Sequence, residues 1–337
     1  MNRDNTLTAR TLGEHRIIEI IQNHLTKMPS IPVCFGDDVS AVNISENHVA
    51  VLKTDMLVGR TDVPEEMSLF QAARKAMVMN VSDFASKGVQ PTAALVALGL
   101  PINFTQKDIE EIAEGLNSGA QEYGAYVIGG DTGEASDLIV SVSLFGTAQR
   151  HTLMLRSGAK AGDILAVTGL FGKSSAGLRL LLDKACSAEE RLRKTLLDSV
   201  LMPKARLKEG LALSSSGMVS ASIDSSDGLA WSLHELGRLS NVGFALDMVP
   251  VSDEVKEFAE QNGFDAAELA LHGGEEYELV LTVKSDGWDA AIAAVETVGG
   301  HLIPIGKATK KRRIILNVDG EKRIVEARGW EHFKSHV

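Results

Sequence analysis

Cysteine is almost absent from this chain of 337 residues, which contains only Cys34 and Cys186. Two isolated thiols cannot form the disulfide framework typical of small secreted proteins, and their spacing is not that of a thiol–metal site. No basic side chain stands near Cys34 in the sequence that could activate it as a nucleophile. We therefore expect Cys34 to be a buried structural residue.

Long apolar runs are also missing, and so is an excess of basic residues. No stretch reaches the length of a membrane span, and the first residues lack the apolar core of a signal peptide, so we expect a cytoplasmic protein. The formal net charge of −11 argues against a nucleic-acid partner, because phosphate backbones require clustered Lys and Arg. The basic run 310–313 lies between two strand-like segments and is interpreted as a solvated turn.

Two common hydrolase signals are absent as well. There is no G-x-S-x-G motif, so the sequence gives no support for a nucleophile elbow. The nine His residues show no metal-ligand spacing, and we expect them at the surface or in packing positions. If the chain is an enzyme, its chemistry must come from other side chains.

The pattern of apolar residues predicts an α+β fold. Helices are expected over Glu14–Leu25 and Ser68–Ala85, and long apolar strands over Thr92–Leu100 and Leu138–Phe145. A polar, glycine-rich break at 151–162 divides the chain into two halves. We expect two domains, 1–150 and 151–337, each built of two α/β layers.

Short acidic motifs recur along both halves, most of them where an apolar run meets Gly, Ser or Thr. Oxygen ligands are what Mg²⁺ prefers, and carboxylates gathered at the ends of buried elements repel one another unless a cation joins them. Each Asp could instead be a turn or cap residue, or the acids could form an ion-pair network with Lys53 and Lys87, and both alternatives stay open. The motifs are 36–38, 53–55, 80–83, 129–131, 224–228 and 273–276.

The segment 165–177, LAVTGLFGKSSAG, has part of a phosphate-binding loop. The strict motif fails, because Val167 stands where its first glycine should be. A strand, a glycine turn and a helix N-terminus remain. Such an arrangement either binds an anion on its free amides or is a simple strand-to-helix turn.

Taken together, the motifs resemble those of the thiamine-monophosphate kinases, which belong to the superfamily of aminoimidazole-ribotide synthetases. The resemblance covers nearly the whole chain, and the segment KTDML followed by TDVP is similar to archaeal members. It is carried by GDDVSAV (36–42), KTDML (53–57), ARKAMVMNVSDFASKGVQP (73–91), IGGDTGE (128–134), LRSGAKAGD (155–163), VTGLFGKSSAGL (167–178), IDSSDGL (223–229), HGGEEYEL (272–279) and GWEHF (329–333).

The resemblance implies ATP-dependent phosphorylation of thiamine phosphate to thiamine diphosphate, assisted by Mg²⁺ and without a general base. It also implies a homodimer in which mostly antiparallel N-terminal sheets form a barrel-like core. By position, the implied metal ligands are Asp38, Thr54, Asp55, Asp83, Asp131, Asp224 and Asp227. The implied nucleotide contacts are Arg156, Ser226 and Gly130, and the implied substrate contacts are Asp62, Glu275 and Trp330.

Asp62 departs from the family pattern, since many bacterial members have a His at this position. Two rival functions remain open. One is another ATP-dependent activity of the same superfamily, namely aminoimidazole-ribotide synthesis or an archaeal paralogue with a different acceptor. The other is a nucleotide-binding protein without catalysis, although such a protein would be expected to have lost some of the acidic motifs.

Overall fold

A computed structural model describes residues 7–318 and 320–333. The described chain contains both helices and strands in each half. The helices are α1 (Ala9–Leu12), α2 (Glu14–His24), α3 (Gly59–Asp62), α4 (Leu69–Lys87), α5 (Gln106–Glu122), α6 (Lys173–Leu182), α7 (Glu190–Leu201), α8 (Leu207–Ser216), α9 (Leu229–Ser240), α10 (Asp253–Asn262), α11 (Ala266–His272) and α12 (Trp288–Glu296). The strands are β1 (Ser40–Asn43), β2 (His48–Val58), β3 (Pro91–Leu100), β4 (Tyr126–Glu134), β5 (Ile139–Gln149), β6 (Ile164–Val167), β7 (Val219–Asp224), β8 (Gly243–Leu246), β9 (Leu279–Val283), β10 (Ile303–Thr309), β11 (Ile314–Val318) and β12 (Glu321–Ile324).

Two sheets organise these elements. The first has the strand order β1-β2-β5-β3-β4, and only its β3–β4 pair is parallel. The second has the order β12-β11-β8-β10-β6-β9-β7, with a parallel β8–β11 pair among antiparallel neighbours. The predicted α+β fold with a mostly antiparallel N-terminal sheet is confirmed. The first sheet is open in the single chain.

Helix α4 lies at the centre of the molecule. Ser68 caps it by accepting a hydrogen bond from the Gln71 amide, and Gly88 ends it in the left-handed conformation at φ 66°. It packs against β2 and β5 of the first sheet, against α5 and α8, and against β7 of the second sheet. Helix α4 of the first half therefore also packs against elements of the second half and joins the two.

The largest hydrophobic core belongs to both halves. It includes Val81 and Phe84 of α4 together with Leu279, Leu281 and Val283 of β9. The predicted division at residue 150 falls between the two sheets in sequence, but the apolar packing is continuous across it. The assignment of separate domains remains a prediction.

Several local predictions can be compared with the structure. The basic run 310–313 is an exposed connection between β10 and β11, as predicted. Cys34 is exposed, so the expectation of a buried thiol is wrong; it precedes β1 in an irregular segment beside the exposed Phe35. No helix within the described residues is long and apolar enough to cross a membrane.

Candidate functional site

Three buried carboxylates meet where the two halves join. Oxygen atoms of Asp38, Asp83 and Asp224 all lie within 4.8 Å of one another. Asp38 comes from the segment before β1, Asp83 from α4, and Asp224 from the last position of β7. Three distant parts of the sequence therefore supply one cluster of hard oxygen donors.

Hydroxyl groups of α4 hold this cluster in place. Ser82 donates a hydrogen bond of 2.7 Å to Asp224 Oδ2, and Ser86 donates one of 2.6 Å to Asp38 Oδ2. Both serines are buried. Because residues four apart share a face of a helix, α4 presents them, one turn apart, to two different carboxylates.

Basic side chains lie against the same carboxylates. Lys87 Nζ is 2.7 Å from both Asp37 and Asp38, and Arg156 Nε donates to Asp38 Oδ1 at 2.6 Å. The ion-pair network that the sequence left open is thus present, together with the carboxylate cluster.

Lys53 of β2 is the third basic side chain that pairs with acids of this group. Lys53 Nζ lies 3.0 Å from Asp55 and 3.1 Å from Asp83. Three cations therefore face five clustered acids, and negative charge is in excess. The acids are Asp37, Asp38, Asp55, Asp83 and Asp224.

Burial and the neighbouring negative charges raise the pKa values of two of these acids. Burial raises the pKa of Asp83 well above its ordinary value, although Lys53 lowers it. Burial, reinforced by the charge of Asp38, raises the pKa of Asp224 to about 6. Burial alone would also raise the pKa of Asp38, but Arg156 and Lys87 hold it below its usual range. A further cation would be stabilised here, because it would offset the repulsion that raises these pKa values.

Lys75, one of the most buried side chains of the protein, lies in a second set of polar contacts. Its Nζ lies 2.5 Å from Glu275 Oε1 and donates a 3.2 Å hydrogen bond to the carbonyl oxygen of Asp62. Asp62 itself accepts a hydrogen bond of 2.7 Å from the Val58 amide, which fixes the turn after β2. Two of the predicted substrate contacts are thereby joined by a lysine that the sequence analysis did not single out.

The predicted contacts from the C-terminal half converge on the loop after β7. Glu275 donates its amide to the Ser226 carbonyl at 2.6 Å, and Trp330 donates its amide to the Asp227 carbonyl at 3.0 Å. Ser226 is exposed beside the buried Asp224. Burial and the nearby charge of Glu14 raise the pKa of Asp227 to about 7. Ser226, Asp227, Glu275 and Trp330 therefore form one edge of the site.

Thr54 and Asp131 lie on the other face of the first sheet. Successive side chains of a strand point to opposite faces, so Thr54 faces away from Lys53 and Asp55. Its hydroxyl donates to the Val142 carbonyl at 3.1 Å. Asp131, on the edge strand β4, is exposed. Asp55 and Asp131 lie within strands and not at the ends of buried elements, because β2 and β4 continue past them as paired strands.

Gly130 is required by packing. A side chain at this position would overlap the carbonyl oxygen of Val96 on the neighbouring strand β3. The close approach of β3 and β4 therefore requires glycine here, whether or not a nucleotide lies nearby.

The N-terminus of α6 is occupied by a carboxylate of the chain itself. Glu276 Oε1 accepts hydrogen bonds from the amides of Gly172 at 2.6 Å and Ser174 at 3.2 Å. Of the two interpretations of the glycine-rich segment, the strand-to-helix turn agrees with this arrangement. Glu276, to which the sequence assigned no role, caps the helix.

The Glu276 cap predicts a dependence of stability on pH. Burial raises its pKa from 4.5 to about 7, although hydrogen bonds from Ser174 and Gly172 lower it. The folded state then binds more protons than the unfolded state between these pH values, so about 3 kcal/mol of stability should be lost as pH rises from about 4.5 to about 7. In Glu276→Gln this loss should be smaller, as measured by urea unfolding across that range. Glu260→Gln, at an exposed helical position, should keep the wild-type slope, and an equal slope in Glu276→Gln would contradict the assignment.

Two known protein-family domains match the chain, one in each of the two halves. The family described as AIR synthase related protein, N-terminal domain, matches residues 36–148, and the corresponding C-terminal domain matches residues 160–319. The thiamine-monophosphate kinase of Nitrosopumilus maritimus is 34% identical over 96% of this chain and 99% of its own length. That of Pyrococcus horikoshii is 36% identical over 89% of this chain and 91% of its own.

A solved structure supports the same relationship. AaThiL complexed with AMPPCP and TMP superposes with a TM-score of 0.85 at 29% identity, over 98% of this chain and all of that one. Both sequence and fold agree along nearly the full length. The chain therefore belongs to the thiamine-monophosphate kinase family of AIR synthase related proteins.

Proposed function

We propose that this protein transfers the γ-phosphoryl group of ATP to thiamine phosphate, giving thiamine diphosphate and ADP. Family membership supports the reaction, and the solved relative AaThiL was complexed with AMPPCP and TMP. The observation that carries the proposal is the buried cluster Asp38–Asp83–Asp224, next to the Glu275 loop. Phosphoryl transfer needs this combination of concentrated charge and positioning more than it needs covalent chemistry.

The carboxylate cluster fits Mg²⁺. Its donors are carboxylate oxygens, which suit a hard divalent cation, and its negative charge exceeds that of the three basic side chains around it. We propose Asp38, Asp83 and Asp224 as ligands, with Asp55 beside them. Bound Mg²⁺ would neutralise phosphate charge and orient the transferred group. Thr54, Asp131 and Asp227 stay predicted ligands through the resemblance.

In the proposed reaction an oxygen of the substrate phosphate attacks the γ-phosphorus of ATP. A new P–O bond forms as the bond to the β-phosphate bridging oxygen breaks, and ADP leaves. The attacking phosphate is largely ionised at neutral pH, so no general base is required. Arg156 is proposed to contact the nucleotide, and it also keeps Asp38 ionised through their ion pair.

Glu275, Asp62 and Trp330 are proposed to bind the thiamine part. Trp330 is 44% exposed, so its indole can stack on a flat cationic ring. A carboxylate at Glu275 complements the positive charge of that ring. Glu275 and Trp330 contact the loop that follows Asp224 of the carboxylate cluster, so the two substrates would lie side by side.

One assay tests the function directly. Purified protein is incubated with ATP, Mg²⁺ and thiamine phosphate, and thiamine diphosphate and ADP are quantified by chromatography. We expect the two products in equal amounts. Bound ATP without thiamine diphosphate would favour a superfamily relative with another acceptor or a non-catalytic nucleotide-binding protein.

We also propose a homodimer formed through the outer face of the first sheet, and a cytoplasmic location. Register places Leu52 opposite Phe145 on neighbouring strands, and Leu95 shares their face. These side chains are 40–53% exposed, and Met56 on the same face is 55% exposed. Thr54 and Asp131 also lie on this face, so an interface here would cover them. A contiguous apolar sheet face of this kind is typical of an interaction surface.

Leu95→Glu should break the proposed dimer. A charge at the centre of the outer face would be buried without a partner, and the dissociation constant should rise roughly 30-fold or more. Light scattering coupled to size exclusion measures the change in mass. Leu182→Glu, at an exposed leucine of α6, is the control and should keep the wild-type mass. An unchanged mass for Leu95→Glu would exclude this face as the interface.

A further inference from the structure

We propose that Lys75 is a positioning residue for the thiamine part of the substrate. It would orient the Glu275 carboxylate so that one oxygen, Oε2, is left to accept a hydrogen bond from the substrate. The inference rests on the proposed function and extends it to a residue outside the predicted site. Lys75 itself acts through Glu275 and need not touch the substrate.

The position of Lys75 is unusual for a lysine. Its side chain is 1% exposed and lies in the interior of α4. Buried lysines are rare unless they are paired, and Lys75 has two partners, the Glu275 carboxylate and the Asp62 carbonyl. The ammonium group thereby connects the turn after β2 in the first half with the loop 273–278 in the second half.

Glu275 has one oxygen occupied and one without a partner. Oε1 contacts Lys75 at 2.5 Å, whereas Oε2 is buried and accepts no hydrogen bond from the described residues. A buried acceptor without a donor is unfavourable, and such groups in native proteins call for an explanation. A donor supplied by a bound ligand would satisfy it.

The backbone around Glu275 is held independently of Lys75. Glu275 and Tyr277 adopt left-handed φ values of 62° and 54°, which non-glycine residues rarely do. The Ser174 hydroxyl donates to the Gly274 carbonyl at 2.6 Å, and the Tyr277 amide donates to the Ser225 carbonyl at 3.0 Å. Such a conformation persists only where surrounding contacts fix it. The loop thus sets where Glu275 stands, and Lys75 sets how its carboxylate is turned.

The ligand that fits this acceptor is an aromatic amine with positive charge nearby. Thiamine phosphate has both features, an exocyclic amine on its pyrimidine and a cationic thiazolium ring. Trp330 lies beside the same loop, since a Cβ added at Gly274 would be 3.6 Å from Trp330 Cβ. A single fixed acceptor beside an aromatic ring would favour the pyrimidine through the direction of its amine hydrogen bond as well as through charge.

Lys75→Met tests the proposal by steady-state kinetics with each substrate varied in turn. The KM for thiamine phosphate should rise roughly 10- to 100-fold, as expected when a charge-assisted hydrogen bond loses its geometry. The KM for ATP should change less than about threefold, because the cluster around Asp38 does not involve Lys75. Lys284→Met, at an exposed lysine, is the control. Equal KM values for wild type and Lys75→Met would overturn the proposal, as would equal losses for both substrates.

Two further variants show whether Lys75 acts through Glu275. Glu275→Gln should raise the KM for thiamine phosphate, and adding Lys75→Met to it should raise KM little more. The double variant leaves no buried charge unpaired. If Lys75→Met alone does not fold, the double variant can still be compared with Glu275→Gln. An equal additional effect of Lys75→Met in both backgrounds would exclude the positioning role. Wild-type protein that makes no thiamine diphosphate would instead refute the proposed function itself.

Discussion

Replacing Asp224 by asparagine is expected to lower turnover roughly 10²- to 10³-fold while the protein stays folded. Asp224 contributes one of the three carboxylates of the buried cluster. Asparagine keeps the size of the side chain and can still accept the hydrogen bond from Ser82, but it removes the negative charge. Since burial already raises the pKa of Asp224 to about 6, loss of that charge should not reduce stability. The kcat for thiamine diphosphate formation and the thermal unfolding midpoint are the two measurements.

A matched control shows whether the loss of turnover is specific to a charge in the cluster. Asp198→Asn lies at an exposed position of α7 and should leave kcat unchanged. Asp55→Asn should resemble Asp224→Asn, because Asp55 shares Lys53 with Asp83. Wild-type turnover in Asp224→Asn would refute the assignment of the cluster to phosphoryl transfer.

Removal of Mg²⁺ should abolish turnover, with a loss of roughly 10³-fold or more, because no side chain of the site replaces its charge on the phosphates. The protein itself should stay folded after chelation. Lys53, Lys87 and Arg156 each pair with the clustered acids and neutralise part of their repulsion. Activity and circular dichroism are measured with EDTA and again after Mg²⁺ is restored. Turnover that survives chelation would contradict the metal proposal.

The ion pair between Lys53 and Asp83 predicts that a variant without this lysine depends on the metal for stability. Lys53→Met leaves Asp83 buried beside Asp224 without its cation. Its unfolding midpoint should fall in EDTA and recover with Mg²⁺, by more than the wild-type midpoint does. Lys53→Met with the same midpoint in both conditions would show that no ion binds next to Asp83.

Local structure was largely predictable, because its causes lie within a few residues. The helix predicted over Ser68–Ala85 is found as α4, and its start follows from short-range hydrogen bonds at Ser68. The grouping of the acids was only partly predictable. Asp38, Asp83 and Asp224 meet through tertiary packing, and nothing in their separate motifs indicates which of the acids face the same side.

Three features of the site were hard to predict from the sequence, each for a physical reason. Thr54 and Asp55 are neighbours on β2, which continues through both of them, so strand alternation places their side chains on opposite faces. Lys75 was overlooked because charged residues within helices are usually solvated. Its signal was present, since it stands in an apolar stretch that forms the most buried helix of the described chain. Glu276 could not be assigned, because its partners Gly172 and Ser174 lie far away in sequence.

The hydrophobic core around α4 has a consequence for synthesis of the protein. Val81 and Phe84 are synthesised well before Leu279, Leu281 and Val283, which complete the same core. Contacts between such distant parts of a chain form slowly, and until they form the apolar face of α4 is open to wrong partners. The nascent first half is therefore expected to need protection by chaperones until β9 has emerged.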